Sequence, residues 1–172
     1  MVGFFGFLLS FFQCRTARTK LAVLWLLGLL SGSLVSLSAG TLLAPTMRSA
    51  VSGGMSIFGL LAALLLPLLF TAMAVFISQP ALLFPVVFLK GFLFSFTGSG
   101  VLAAFGTSGW LIRVLLMFSD LLVLPLLWWV WIQVFSGERN TVLRCNALAF
   151  VIAVVIGCFD YTLVAPFLAG LL

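Results

Sequence analysis

Apolar runs and short polar breaks alternate along the chain, and their lengths predict five helices that cross a bilayer. The runs cover about 21–43, 58–78, 81–105, 110–135 and 145–168. Each is near the roughly 20 residues that a helix needs to span hydrocarbon. The breaks carry turn chemistry. Residues 44–57 hold Pro45, the Gly53-Gly54 pair and several serines, and read as a loop. Gln79-Pro80 reads as a tight turn, and Gly106-Thr107-Ser108-Gly109 as another. Ser136 to Arg144 is the most polar stretch. Pro67 and Pro125 fall inside spans, where a proline kinks the helix or frees a carbonyl.

Small residues mark packing faces. Gly28, Gly32, Ser36 and Gly40 recur every fourth position in the first span. Gly91, Ser95 and Gly98 do the same work in the third. Such stripes let helix backbones approach closely where no hydrophobic force drives them together. They also allow a homo-oligomer without requiring one.

The first dozen residues, MVGFFGFLLSFF, are apolar but too short to span. Arg15, Arg18 and Lys20 follow them, the reverse of the order in a secretory signal. Residues 1–20 therefore read as an interfacial N-terminal segment with a basic flank, and 21–172 as one helical bundle. Trp128, Trp129 and Trp131 crowd one end of the fourth span, where indoles favour the headgroup level.

Composition fixes the solvent. With 65% hydrophobic and 6% charged residues, the chain cannot cover itself with polar groups, so its surroundings are lipid. The fold class is all-α, a polytopic integral membrane protein. The net charge of +5 is scattered, and it carries topology rather than a nucleic-acid face. With the N-terminus inside, Arg15, Arg18, Lys20, Arg139 and Arg144 face the cytoplasm and Arg48 alone faces out. That asymmetry predicts a cytoplasmic N-terminus and an extracytoplasmic C-terminus.

Charge inside the spans is the candidate chemistry. Lys90 and Asp120 each fall near the middle of their runs, on consecutive antiparallel helices. An isolated charge at that depth is costly, so the two are expected to pair. Arg113 and Asp160 both sit in the outer half, on the fourth and fifth spans, and could form a second pair. Both pairs serve either to fix helix order or to line a polar path.

Enzyme chemistry finds little support. There is no histidine, and Cys14, Cys145 and Cys158 form neither a disulfide framework nor a metal motif. Gly106-Thr107-Ser108-Gly109 echoes the Gly-x-Ser-Gly of rhomboid proteases, but no histidine is present to activate the serine. Asp120 and Asp160 differ in depth, and Pro80-Ala81-Leu82 precedes both instead of following them, against an intramembrane aspartyl dyad. No cofactor, metal or catalytic site is expected.

Several local motifs resemble the stage II sporulation protein M family of bacterial integral membrane proteins. Its core is a Phe-Leu-Lys-Gly run, then a small residue, Phe and Thr, here Phe88-Leu89-Lys90-Gly91 and Ser95-Phe96-Thr97. An asparagine, aliphatic residues and a proline follow in that family. Here the stretch is Asp120-Leu121-Leu122-Val123-Leu124-Pro125, with aspartate at the asparagine position. Asp160 and Pro166 match an acidic residue and proline in the last helix, with about one extra residue between them. The specific part of the likeness is Phe88 to Thr97. It implies a non-enzymatic scaffold of the bacterial cytoplasmic membrane that recruits peptidoglycan-degrading partners during forespore engulfment. The rival expectation is a small transporter or channel subunit that uses Lys90 and Asp120 along a polar path.

Overall fold

A computed structural model describes residues 17–52, 57–136 and 139–167, and every regular element in them is helical. The order is α1 (Ala17–Ser38), α2 (Gly40–Ser52), α3 (Ile57–Phe76), α4 (Leu83–Phe105), α5 (Gly109–Leu116), α6 (Phe118–Ser136) and α7 (Arg139–Phe159). A 3-10 turn, Pro80–Leu82, precedes α4 and another, Gly106–Ser108, follows it. A π turn, Asp160–Val164, extends α7. Five stretches are long and apolar enough to cross a membrane. The expected interfacial segment, Cys14, Arg15 and the Gly53-Gly54 pair lie outside the described residues.

The turns sit where the sequence puts them. Ser78, at φ 58°, and Gly106, at φ 61°, are the positive-φ residues among those described. Each lets the chain reverse at a helix end, glycine at no steric cost. Gly106 passes its backbone N–H to the Leu102 carbonyl.

Parallel helices α1 and α4 form the tightest contact. Gly28 lies on the backbone of Phe88 and Phe92, Gly32 on that of Phe92 and Phe96, and Gly91 on Trp25. A Cβ at Gly28 or Gly32 would overlap backbone atoms that cannot move aside. The hydroxyls of Ser33 and Ser95 meet across the same seam. Ser36 is also buried, but its hydroxyl has no partner among the described residues. Two residues read as packing positions do something else. Gly40 starts α2, and a Cβ there would make only an ordinary contact with Ala103. Gly98 faces the Arg113 guanidinium instead of a neighbouring backbone.

The expected loop at 44–57 is helical over its first part. Helix α2 runs through Pro45, which costs one backbone bond in the second turn. It folds over the end of α4, where Arg48 Nε donates to the Ala104 carbonyl at 2.8 Å. A cation at a helix C-terminus satisfies an orphan carbonyl and complements the dipole.

The fourth span is not one smooth helix bent at Pro125. It breaks at Met117, φ −97° and ψ 1°, between α5 and α6, while Pro125 lies inside α6. Helix α5 runs back along α4, with Gly109 on Val101 and Leu102 and Arg113 on Gly98. The last span also begins earlier than expected, at Arg139 rather than Cys145. Val142 and Asn146 are buried there and pull the polar start of the helix into the fold.

Leu64, Leu68, Val87, Leu127, Val130, Trp131 and Ala153 belong to one buried core. Trp131 is fully buried, so it belongs to this core and not to a headgroup belt. Trp129 keeps the exposure expected of a belt residue.

Candidate functional site

Pro67 organises the polar interior. Its ring nitrogen carries no hydrogen, so the carbonyl four residues earlier, Ala63, loses its helical donor. The Lys90 ammonium lies 3.4 Å from that carbonyl and donates to it. One turn on, Thr71 Oγ1 donates to the Pro67 carbonyl at 2.7 Å and accepts from Trp131 Nε1 at 3.1 Å. Asn146 Nδ2 donates to the Leu68 carbonyl at 3.1 Å. Helices α4, α6 and α7 each therefore anchor a polar side chain to the middle of α3.

Lys90 is the centre of this arrangement. It is 7% exposed, and its ammonium also meets Asp120 Oδ1 at 2.5 Å. Asp120 is 24% exposed and stands in the first turn of α6, where the helix dipole favours a carboxylate. Antiparallel register makes the pair possible: Gly98 opposes Arg113, and Lys90 then opposes Asp120.

The second pair that Arg113 and Asp160 could have formed is not made. Arg113 instead fills the space left by Gly98 and lies over Trp110, 5.4 Å from the ring centre. Such a cation–π contact keeps the guanidinium satisfied without a carboxylate. Asp160 is buried at the start of the π turn that extends α7, at 2% exposure, and neither of its oxygens has a hydrogen-bond partner among the described residues.

Beside the Lys90–Asp120 pair runs a cleft of about 840 Å³ between α3 and α4. Its walls are apolar, and Leu66, Phe70, Met73, Leu89 and Leu93 leave it open on the outer surface. Lys90 and Asp120 lie along it. A space of this size accommodates a drug-sized molecule or several side chains of another helix. Helices α3 and α4 are consecutive, yet each packs mainly on another partner, α3 on α7 and α4 on α1, and this leaves the cleft between them.

The sequence reading passed over the polar residues Thr71, Ser119 and Asn146, and it placed Trp131 at the headgroup level instead of in the polar interior. Asn146 had a visible signal: Val142, Asn146, Ala149, Ala153, Gly157 and Asp160 share one helical face, and all are buried. Trp131 and Thr71 had none, since an indole near a span end and a threonine in an apolar helix are both ordinary. Among the described residues no group of three or more His, Cys, Asp and Glu is placed to hold a metal ion.

Compared with known protein families, with characterised proteins and with solved structures, the chain has no match.

Proposed function

We propose that the chain is a non-enzymatic scaffold of the bacterial cytoplasmic membrane. Its N-terminus lies in the cytoplasm and its C-terminus outside. On this reading it holds membrane-anchored peptidoglycan-remodelling proteins, as members of the stage II sporulation protein M family do in engulfment. The observation that carries the reading is the cleft between α3 and α4. It is open sideways and apolar, and it has a fixed ion pair at its floor. Those are the features of a seat for a neighbouring transmembrane helix with a polar residue at mid-span. The glycine-seamed α1–α4 pair supplies the rigid frame behind it.

A photo-crosslinking side chain at Leu89 or Leu93, introduced in the living host, tests this. The expected adduct is a wall hydrolase or its membrane anchor, absent when the crosslinker stands at Val155 on α7. Adducts to lipid alone from Leu89 and Leu93 overturn the scaffold reading.

A second reading rests on the exposure of Asp120 to the cleft. In it, Lys90 and Asp120 line a solute path. Purified protein in liposomes would then move a solute, and Lys90→Met would abolish the flux. The scaffold conducts nothing.

A further inference from the structure

On its α3 side the cleft runs from Gly59 to Ile77, about 27 Å at 1.5 Å per residue. That is close to the ~30 Å thickness of bilayer hydrocarbon. A groove of this length, open sideways, suits an occupant that itself crosses the membrane. Gly59 and Ala63, one turn apart on α3, are small and exposed along it. They let another backbone come close beside the Ala63 carbonyl to which Lys90 donates.

The polar groups of the cleft have hydrogen-bond capacity to spare. The Lys90 ammonium carries three N–H groups and donates to two acceptors, the Ala63 carbonyl and Asp120 Oδ1. One N–H is left over among the described residues. Asp120 is 24% exposed and meets Lys90 through Oδ1, which leaves Oδ2 as a further acceptor. Thr97 lines the same cleft. It stands seven residues beyond Lys90, two turns on and about 10 Å along α4. Its hydroxyl can donate or accept.

The ion pair is neutral, and that selects the chemistry of the occupant. An ionised carboxylate placed here would set two anions against one ammonium. A lysine or arginine would set two cations against one carboxylate. Either leaves an uncompensated charge in hydrocarbon. A carboxamide adds no charge. Its oxygen accepts from Lys90 and its NH2 group donates to Asp120 Oδ2, so one side chain serves both.

We propose that the cleft takes a transmembrane helix with asparagine or glutamine at mid-span, hydrogen-bonded to both Lys90 and Asp120. A serine or threonine seven positions away on that helix meets Thr97. This rests on the scaffold reading and adds to it the residues that the partner presents.

Synthetic transmembrane peptides test it, with the full chain in vesicles of phosphatidylethanolamine and phosphatidylglycerol. Each peptide is a leucine–alanine helix with asparagine, leucine or lysine at its centre. Association is read by energy transfer to a dye on the full chain. The asparagine peptide is expected to bind about tenfold more tightly than the other two, the worth of two hydrogen bonds in lipid. Adding a serine seven positions before or after the asparagine brings about threefold more in one of the two directions. Lys90→Met removes the asparagine gain. Thr97→Val keeps the ion pair, removes the serine gain alone, and carries the test if Lys90→Met does not fold.

Equal binding of the asparagine and leucine peptides overturns the proposal. So does a lysine peptide that binds as tightly as the asparagine one, an asparagine gain that survives Lys90→Met, or a serine gain that survives Thr97→Val. In each of these cases the scaffold reading stands if a crosslinker at Leu89 still captures a wall hydrolase or its anchor in the host. If no peptide associates and Leu89 crosslinks to lipid alone, both readings fall.

Discussion

Pro67 and Lys90 are complementary across two helices. The first strips the Ala63 carbonyl of its backbone donor, and the second supplies an ammonium to it at 3.4 Å while holding Asp120 at 2.5 Å. One proline thus turns a helix-internal carbonyl into a ligand for a charge that lipid would otherwise reject. The stability of Lys90 in the bundle depends on both partners.

That dependence makes Lys90→Met and Asp120→Asn strongly coupled. Each single variant leaves a buried group without its counter-charge, whereas the double variant leaves none. The double variant is expected to lose less than the sum of the singles, with a coupling of about 0.5–3 kcal/mol. Unfolding titrations in mixed micelles measure it, and strict additivity would remove the pair from the energetics.

Pro67→Ala restores an N–H opposite the Ala63 carbonyl, which then bonds within its own helix. Lys90→Met should cost less in that background than in the parent protein. The same titration checks it. An unchanged cost for Lys90→Met would mean that the Ala63 carbonyl does not contribute to holding the lysine.

Gly28→Leu and Gly32→Leu push side chains into the backbone of α4, which has no rotamer to yield. Each is expected to cost about 1–3 kcal/mol or more, as overpacking does. Gly40→Ala meets only an ordinary contact and should stay within about 0.5 kcal/mol of the parent. Equal costs for Gly28→Leu and Gly40→Ala would deny the seam between α1 and α4.

Trp131→Phe and Thr71→Val each remove one end of a buried hydrogen bond. Bonds of this kind in membrane proteins contribute about 0.6 kcal/mol on average and about 1.7 at most. The coupling between the two variants, which isolates the bond from the volume lost at Trp131, is therefore expected to be smaller than the cost of a seam glycine. The comparison ranks backbone approach above polar anchoring in this bundle.

Orientation is open to direct chemical reading. In a cysteine-free background, Lys20→Cys should react with a membrane-impermeant maleimide only after the cells are opened. Thr107→Cys should react in intact cells. The opposite pattern would invert the proposed topology.

The number of spans, the turns at Gln79 and Gly106 and the meeting of Lys90 with Asp120 were legible because each follows from a local rule. Apolar length, φ-permissive residues and the cost of a lone charge act on residues close in sequence or on consecutive helices. The helicity of Gly40–Ser52 was not legible, because turn residues there yield to docking on the end of α4. The break at Met117 was hidden too, since neither glycine nor proline stands at that position.

The sequence by itself determined that this protein is a helical bundle with five stretches long and apolar enough to cross a membrane and a charge within the third, because so apolar a chain leaves few other ways to satisfy its backbone. Only the tertiary structure decided where the remaining charges, Arg113 and Asp160, are placed. Arg113 turns to a glycine and an indole, and Asp160 is left buried without a hydrogen-bond partner among the described residues, because side-chain partners depend on helix rotation and register between segments far apart in the chain. Neither quantity is encoded in the length or hydropathy of any single span.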